Sequence, residues 1–254
     1  MERVRRPWEG TWNIVRFNWH FYAGAGAACA SLLLLRAWPN QPLGPWPQLA
    51  ALGIAAATLV SLLVSAYVYD GSGLYQLAWL REAAPPHPAA VVNIHAGFDE
   101  SSHLLLQYLR PASLAVLDFY DPAAHTELAI RRARRAYPAF PGTRAVPTGR
   151  LPLPADAADL VLLMLAAHEI RSEAERTAFF REAGRITRPG GRIVVVEHLR
   201  DAANLLAYNV GAFHFYSRRC WRRVFGRAGL RVLQEQKITP FVAVFTLTHA
   251  DSAG

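Results

Sequence analysis

Polar and ionisable side chains gather at four points of the sequence where an apolar run ends, within residues 93–99, 118–121, 166–170 and 197–201. Two of these points hold an imidazole beside a carboxylate: His168 with Glu169, and Glu197 with His198. Such pairs can orient or deprotonate a phenol, an enol or a thiol. We therefore treat all four residues as candidate catalytic groups. Each pair also has a structural interpretation, and for His168 it is a residue at a helix start, bonded to the backbone.

The segments between these points alternate between apolar strands and amphipathic helices. Strands are predicted at residues 89–95, 114–119, 143–146, 159–165 and 191–198, and helices at residues 74–82, 99–110, 123–136 and 173–186. Strands continuous in Val, Leu and Ile indicate a parallel sheet covered on both faces. The last two strands, at residues 231–238 and 241–249, read as an antiparallel pair. The predicted fold class is α/β: a Rossmann-like, doubly wound, mostly parallel seven-stranded sheet with a C-terminal antiparallel hairpin.

In open sheets of this kind, ligands bind beyond the carboxyl ends of the strands, which is where all four polar clusters fall. A dinucleotide site there would need a glycine-rich turn and a free helix N-terminus for the pyrophosphate. The helix after Gly97 instead starts with Asp99 and Glu100, which stabilise the positive end of its dipole and would repel a phosphate. NAD, FAD and ATP are poor candidates, and so is a phosphate-cofactor oxidoreductase. S-adenosylmethionine, which carries a sulfonium and an ammonium, escapes that repulsion.

Residues 89–249 resemble the class I S-adenosylmethionine-dependent methyltransferases, nearest in pattern to the quinone and small-molecule type. VVNIHAGFD stands at the place of the family's glycine-rich turn, and LDFYDP stands at its acidic motif after the second strand. The segments around the later strands also resemble the family, in LPLPADAADLVLLMLAAHEI, FFREAGRITRPGGRIVVVEH and AGLRVLQEQKI. The resemblance implies a methyltransferase fold, S-adenosylmethionine as the cofactor, and methyl transfer to an acceptor.

The resemblance also implies a set of cofactor-binding residues: Asn93, His95, Gly97, Asp118, Phe119 and Thr148. Asp118 would accept hydrogen bonds from the ribose hydroxyls, and Phe119 would pack on the adenine. Gly97 would allow close backbone approach, and Asn93 would lie near the methionine amine. Thr148 stands roughly at the place of an acidic or polar adenine contact.

The glycine-rich turn departs from the family's pattern at three residues. Asn93 stands in place of an acid, and His95 and Asp99 stand in place of glycines. Lost glycines cost room for the backbone to approach a cofactor. Two interpretations follow, a reshaped pocket that still binds the cofactor and a closed remnant that does not.

Residues 202–221 are aromatic and weakly polar, which suits a lid over an apolar acceptor. Tyr208, His214 and Tyr216 are the candidate substrate contacts in this segment. Packing against the N-terminal helices, or burial in the core, is the alternative interpretation.

Two uncharged stretches precede this domain. Residues 17–35 carry no Asp, Glu, Lys or Arg, and as a helix they reach about 30 Å, the thickness of a bilayer core. Residues 48–69 form a second span after a turn rich in Pro and Trp. The predicted organisation is a basic N-terminus (1–16), a transmembrane α-hairpin (17–69), a connecting helix and linker (70–88), and a methyltransferase-like domain (89–254). A cleavable signal peptide is the alternative for the first stretch.

The flanking charges predict the orientation of this hairpin. Arg3, Arg5, Arg6 and Arg16 precede the first span, whereas the turn has only Arg36. By the positive-inside rule, both the N-terminus and the domain lie in the cytoplasm, so we expect a multi-pass protein of the inner (cytoplasmic) membrane. Small residues in both spans allow close helix packing, which would also permit a homo-oligomer through the hairpin.

The composition narrows the class of partner. The formal net charge is +8, carried almost wholly by arginine. The basic runs at 131–135 and 218–223 fit solvated helix faces, with adhesion to anionic lipid as the alternative. No zinc-finger spacing or nucleic-acid motif occurs, so neither a metal site nor a nucleic-acid partner is predicted. Cys29 and Cys220 lie in unrelated contexts, which fits free thiols in a reducing compartment.

These observations predict a membrane-anchored S-adenosylmethionine-dependent methyltransferase. Its acceptor would be apolar or lipid-soluble and would be methylated at the cytoplasmic membrane face. The alternative is a non-catalytic membrane subunit that retains the fold and has lost the cofactor.

Overall fold

The computed structural model describes residues 6–125 and 127–250. Arg3 and Arg5 of the predicted basic N-terminus lie outside the described residues, as do residues 251–254 of the predicted domain.

A seven-stranded sheet forms the centre of the protein. Its strands are β1 (Ala90–His95), β2 (Ser113–Asp118), β3 (Arg144–Ala145), β4 (Ala158–Met164), β5 (Thr187–His198), β6 (Leu230–Thr239) and β7 (Val242–His249). Their spatial order is β3-β2-β1-β4-β5-β7-β6. The first five strands pair in parallel, and β7 pairs antiparallel with both β5 and β6. The predicted Rossmann-like sheet with its C-terminal hairpin is confirmed.

Nine α-helices are described around and before this sheet. They are α1 (Glu9–Phe17), α2 (Trp19–Ala37), α3 (Trp46–Ala66), α4 (Leu80–Ala83), α5 (Ser102–Leu109), α6 (Leu128–Ala136), α7 (Glu173–Ile186), α8 (Ala202–Tyr208) and α9 (Arg218–Arg227). Short 3₁₀ helices lie before α4, at Leu74–Gln76, after β4, at Ala167–Glu169, and after α8, at Asn209–His214. Helix α5 begins later than predicted because the Asp99 carboxylate accepts the backbone N–H groups of Ser101 and Ser102 and so caps the helix there.

Two apolar cores lie on opposite faces of the sheet, as the alternation of side chains along a strand requires. Along β4, Val161 and Leu163 belong to the core under α7 and α9, whereas Leu160 and Leu162 belong to the other. The second core includes Leu74, Leu77 and Leu80, which are completely or almost completely buried. The predicted linker at residues 70–88 therefore covers this face of the sheet, because its leucines pack against the strands there.

The N-terminal region holds three helices where the sequence predicts two spans. The helix is interrupted at Asn18, so the first residue of the predicted span at residues 17–35 ends α1 and residues 19–35 lie in α2. Helices α2 and α3 pack against each other, and α3 continues through a π-helical turn, Tyr67–Gly71, to the sheet. Among the described residues, one helical segment, Trp46–Gln76, is long and apolar enough to cross a membrane; residues 17–35 fall short of that standard.

Helix α1 folds back onto the domain and is not a detached basic tail. The carboxylate of Asp70, at the end of the α3 extension, accepts the backbone N–H groups of Gly10 and Thr11 at 2.9 and 2.8 Å. A carboxylate at this position satisfies free N–H groups and complements the helix dipole. Tyr137 ties α1 to the region after α6, because its hydroxyl donates to Glu9 and Asn13.

Candidate functional site

A cavity of about 230 Å³ opens at the carboxyl ends of β1, β4 and β5, where the topology predicts a ligand site. Its walls come from the turn after β1, the ends of β4 and β5, helix α1 and the aromatic residues Tyr69, Tyr75 and Phe215. Pockets that enclose drug-sized ligands measure roughly 300–1,000 Å³. The open space therefore suits part of such a molecule rather than a whole cofactor together with an acceptor.

The turn after β1 carries an imidazole where the family has a glycine. The backbone N–H of Gly97 donates to Nδ1 of His95 at 3.2 Å. Burial lowers the pKa of His95, so the ring is neutral near pH 7. Because Nδ1 accepts a hydrogen bond, the ring proton lies on Nε2, which has no partner among the described residues.

Asn93 and Asp99 hold the rest of this turn. The Asn93 amide donates to the hydroxyls of Ser101 and Ser102 at 2.9 and 2.8 Å, and more weakly to Asp99 Oδ1 at 3.3 Å. Two buried acceptor atoms, Asn93 Oδ1 and Asp99 Oδ2, have no hydrogen-bond partner among the described residues. A buried acceptor without a donor costs about 1–3 kcal/mol, so two of them in one turn require an explanation.

The carboxylate of Asp118 lies at the end of β2, as predicted, and the chain itself covers it. It accepts the backbone N–H of Tyr120 at 2.9 Å and forms an ion pair with Arg134 of α6. Gly97 has φ +90°, and a Cβ there would meet Tyr120, Arg134 and Ile130 at 3.0–3.1 Å. There is therefore no free space beside the Cα of Gly97, and Arg134 covers the Asp118 carboxylate.

Of the six residues implied by the resemblance, His95 lines the cavity, Asn93, Gly97 and Asp118 lie behind its wall, and Phe119 and Thr148 are held elsewhere. Phe119 is 2% exposed and packs against Phe179 in the core, with ring centroids 5.5 Å apart. Thr148 donates to the Glu175 carboxylate at 2.6 Å. Neither residue lines the cavity. The Phe119 ring is buried in the core, and the Thr148 hydroxyl is hydrogen-bonded to a residue of α7.

His168 and Glu169 follow β4, Glu197 and His198 end β5, and together these four residues form the rim of the cavity on the side away from the turn. His168 and Glu197 lie at the centre of this rim. The completely buried Glu197 accepts both the backbone N–H of His168 and its Nδ1–H, the latter at 2.7 Å. His168 Nε2 then faces Glu169 Oε1 at 3.2 Å. Burial lowers the pKa of His168, but the Glu197 and Glu169 carboxylates outweigh burial and raise it to about 10. Burial raises the pKa of Glu169, but hydrogen bonds from His168 and His214 hold it well below its usual range.

His198 connects the rim to the α3 extension. Its Nδ1–H donates to the Phe241 carbonyl at 2.9 Å, so Nε2 accepts the Tyr69 hydroxyl, also at 2.9 Å. Burial is the main cause that lowers the pKa of His198 to about 4. The imidazole is therefore neutral at physiological pH and holds Tyr69 at the cavity wall.

The predicted lid supplies one of its three candidates to the rim network. His214 Nε2 lies 3.4 Å from Glu169 Oε1. Tyr216 packs under the Arg176 guanidinium, 3.7 Å from its ring centroid, and Tyr208 packs edge-on to His198. Phe215, which the sequence reasoning missed, is the lid residue that lines the cavity.

Three other contributors were also missed. Arg134 falls in a basic run that predicts a solvated face, and Tyr69 falls in a predicted span. Helix α1 falls in the predicted basic tail. Only its periodicity, with Asn13 and Phe17 one turn apart and both buried, signals a packed helix.

Residues 101–195 match the family model described as a methyltransferase domain, a match that begins after the altered turn. A chain in the complex of the Haloferax volcanii Trm112 methyltransferase activator with a methyltransferase is 16% identical, with a TM-score of 0.54 over 79% of this chain and 96% of that one. The [4+2]-cyclase SpnF is 14% identical, with a TM-score of 0.50 over 70% of this chain and 80% of that one. A search of curated proteins found no match.

The fold is therefore that of a class I S-adenosylmethionine-dependent methyltransferase. One protein with a similar fold is described as a cyclase, so the fold does not by itself determine the reaction. The side chains of the site determine the reaction.

S-adenosylmethionine fits the site only if its groups complement the unpaired polar atoms of the turn. Asn93 Oδ1 and Asp99 Oδ2 need donors, and His95 Nε2–H needs an acceptor. The ammonium and carboxylate of a methionine end supply both. The nucleoside end meets Asp118 only when Arg134, whose side chain is 38% exposed, leaves that carboxylate. The residues fit the cofactor at its amino-acid end, and at its sugar end once this one ion pair opens.

Proposed function

We propose that this protein is a membrane-bound S-adenosylmethionine-dependent methyltransferase for an apolar or lipid-soluble acceptor. The observation that carries the proposal is the set of unsatisfied polar atoms in the turn, at Asn93, His95 and Asp99, beside a cavity in a methyltransferase fold. The two acceptor atoms match the ammonium of an amino-acid group, and the one donor matches its carboxylate.

Each side of the crevice has a distinct role in this proposal. Asn93 and Asp99 hold the ammonium of the cofactor, His95 holds its carboxylate, and Asp118 holds its ribose. When bound, the cofactor supplies an electrophilic methyl group. His168, fixed by Glu197, orients the acceptor. Helix α1 and Phe215 cover the cavity and exclude water.

The environment of the cavity supports an apolar acceptor that arrives from a bilayer. Tyr69, the residue bonded to His198, lies in the helical segment that is apolar enough to cross a membrane. Helix α8 packs against α3, and the lid exposes Leu206, Val210 and Phe213 at 77%, 82% and 66%. Large apolar side chains exposed together indicate contact with a membrane or a partner.

We extend the proposal to location and assembly. The apolar faces of α2 and α3 anchor the chain in the inner membrane, with the domain in the cytoplasm. Small residues in these helices would also permit a homo-oligomer. Membrane fractions washed with alkaline carbonate test the anchor: the protein stays in the pellet if the helices are inserted, and release into the supernatant would refute insertion.

Calorimetry with S-adenosylmethionine on the detergent-solubilised protein tests the enzyme proposal. We expect binding by the wild type and none by Asp118→Ala, because the ribose loses its acceptor. Mass spectrometry of the purified protein should also detect bound S-adenosylhomocysteine. Wild-type heats indistinguishable from those of Asp118→Ala would end the proposal.

A second function, a non-catalytic membrane subunit, is favoured by the ion pair of Asp118 with Arg134 and by the filled space at Gly97. The family match also begins only at residue 101, after this turn. In that role the protein would co-purify with a partner and bind no cofactor even when Arg134 is removed. Bound S-adenosylhomocysteine would rule this role out.

A further inference from the structure

Two imidazoles and a carboxylate converge at the rim of the cavity in the arrangement of a metal site. Nε2 of His168 and Nε2 of His214 lie 3.2 and 3.4 Å from Oε1 of Glu169, and all three ligand atoms lie within 4.8 Å of one another. Zinc is bound tetrahedrally by nitrogen and oxygen at about 2.0–2.1 Å, so neighbouring ligands are separated by roughly 3.3 Å. The two separations between histidine and glutamate match that edge length.

Each imidazole also has a carboxylate on its other nitrogen. Glu197 Oε2 lies 2.7 Å from Nδ1 of His168, and Glu127 Oε1 lies 3.1 Å from Nδ1 of His214. A carboxylate on the distal nitrogen orients a metal-binding histidine and makes it more basic. Without an ion, His168 must carry two protons, since a bare lone pair on either of its nitrogens would face a carboxylate.

The charge of the cluster suits a divalent cation. The carboxylates are Glu127, Glu169 and Glu197. One guanidinium, that of Arg171, lies 3.0 Å from Glu127 and 3.8 Å from Glu169. Its Nη2 also contacts both ring nitrogens of His214, so an ion bound at Nε2 has to displace this guanidinium from the ring. Three carboxylates and one guanidinium leave a net charge of −2 when both imidazoles are neutral. A Zn²⁺ ion would balance it.

We infer that His168, Glu169 and His214 bind one Zn²⁺ ion, with Glu197 and Glu127 as positioning residues. His168 and Glu169 line the cavity, so the fourth coordination position opens towards it. A catalytic zinc site has this form, with three protein ligands and one position for water or substrate. The sequence predicts no metal site, because the three ligands come from two separate segments without a recognisable spacing.

The site also deepens the proposed function, on which this one step rests. A phenol, enol or thiol acceptor bound at the open position would lose its proton to water more readily, because the cation stabilises the anion that remains. His168 would then act as a ligand of the ion, and the ion would hold the acceptor.

Competitive titration of the chelator-treated full-length protein with Zn²⁺, against a chromophoric chelator, tests this inference. We expect one equivalent per chain, at least ten-fold weaker binding for His214→Asn, and about 10–100-fold weaker binding for Glu197→Gln. His87→Asn is the matched control, because His87 is exposed and its φ of +46° is tolerated by asparagine. Its affinity should equal that of the wild type.

Two further measurements keep the outcomes separate. Added Zn²⁺ should raise the melting temperature of the wild type and leave that of His214→Asn unchanged, while the metal-free proteins melt alike. Asp118→Ala should keep full Zn²⁺ binding even though it no longer binds S-adenosylmethionine, so failure of one proposal does not entail failure of the other. No stoichiometric Zn²⁺, or equal affinity in wild type and His214→Asn, would overturn the inference.

Discussion

The two sides of the crevice satisfy their buried polar groups in different ways. On the rim, both carboxylate oxygens of Glu197 and both ring nitrogens of His198 have hydrogen-bond partners. In the turn, atoms of Asn93, His95 and Asp99 lack partners, and Asp118 is held by a partly exposed arginine. The rim is therefore built to keep its geometry, whereas the turn retains hydrogen-bonding capacity for a ligand.

The largest expected effect is on the free energy of unfolding, when the strand-end carboxylate of the rim, Glu197, is compared with that of β2, Asp118. Glu197→Ala should lower the free energy of unfolding by about 3–5 kcal/mol, because a buried partner is removed from His168. Asp118→Ala should cost about 1 kcal/mol, because the Arg134 left behind is exposed enough to be hydrated. Denaturant titrations in detergent measure both values, and equal losses would break the comparison.

The next effect is a pH dependence that arises from His198. Its pKa is about 4 in the folded protein, against 6.5 for an unperturbed histidine. As the pH falls from 6.5 towards 4, the unfolded chain takes up a proton that the folded chain does not, so stability decreases by at most about 1.4 kcal/mol per pH unit. His198→Gln should lose this part of the dependence. Identical pH profiles of wild type and variant would contradict the neutral, buried imidazole.

Gly97→Ala tests whether the side chains around the turn leave room for a Cβ at residue 97. Gly97 and Gly142 both have a positive φ, but a Cβ at Gly97 would meet three side chains, whereas Gly142 has nothing within 4 Å. Backbone strain is thus common to both alanine variants, and overpacking adds about 1–3 kcal/mol at Gly97 only. Thermal unfolding of the two variants gives the difference; similar melting temperatures would mean that the space at Gly97 is open.

The smallest expected effect concerns the link between the apolar helix and the rim. Tyr69→Phe removes the hydroxyl that donates to His198 Nε2 and should cost about 1 kcal/mol. Tyr67→Phe is the control, because Tyr67 is 48% exposed. Comparable melting temperatures for the two variants would show that the rim does not depend on the α3 extension.

The sequence predicts the sheet well because the strands are set by local pattern. Continuous Val and Leu in β4, and the Thr239–Pro240 break before β7, identify their elements without reference to distant residues. The edges of helices were less predictable. Asp99 reads as a residue inside the helix, yet its carboxylate ends the turn and moves the start of α5 to Ser102.

The partners of the site residues could not be read from the sequence, because they come from remote segments. Asp118 was placed correctly at a strand end, but its ion pair with Arg134 depends on how α6 lies over the turn. His214 appeared as a lid contact, whereas the fold brings it to Glu169. Residue type and spacing indicated which groups carry chemistry, and tertiary packing decided which of them meet.

The most direct test of the account is S-adenosylmethionine binding by Arg134→Ala beside wild type and Arg135→Ala, an exposed neighbour in the same basic run. If Arg134 covers the ribose site, its removal spares the cofactor the cost of opening an ion pair. Calorimetry should then show binding about five-fold tighter than in wild type, the equivalent of about 1 kcal/mol. Arg135→Ala should match the wild type. Absence of binding in all three proteins would contradict the account and leave a methyltransferase fold without its cofactor.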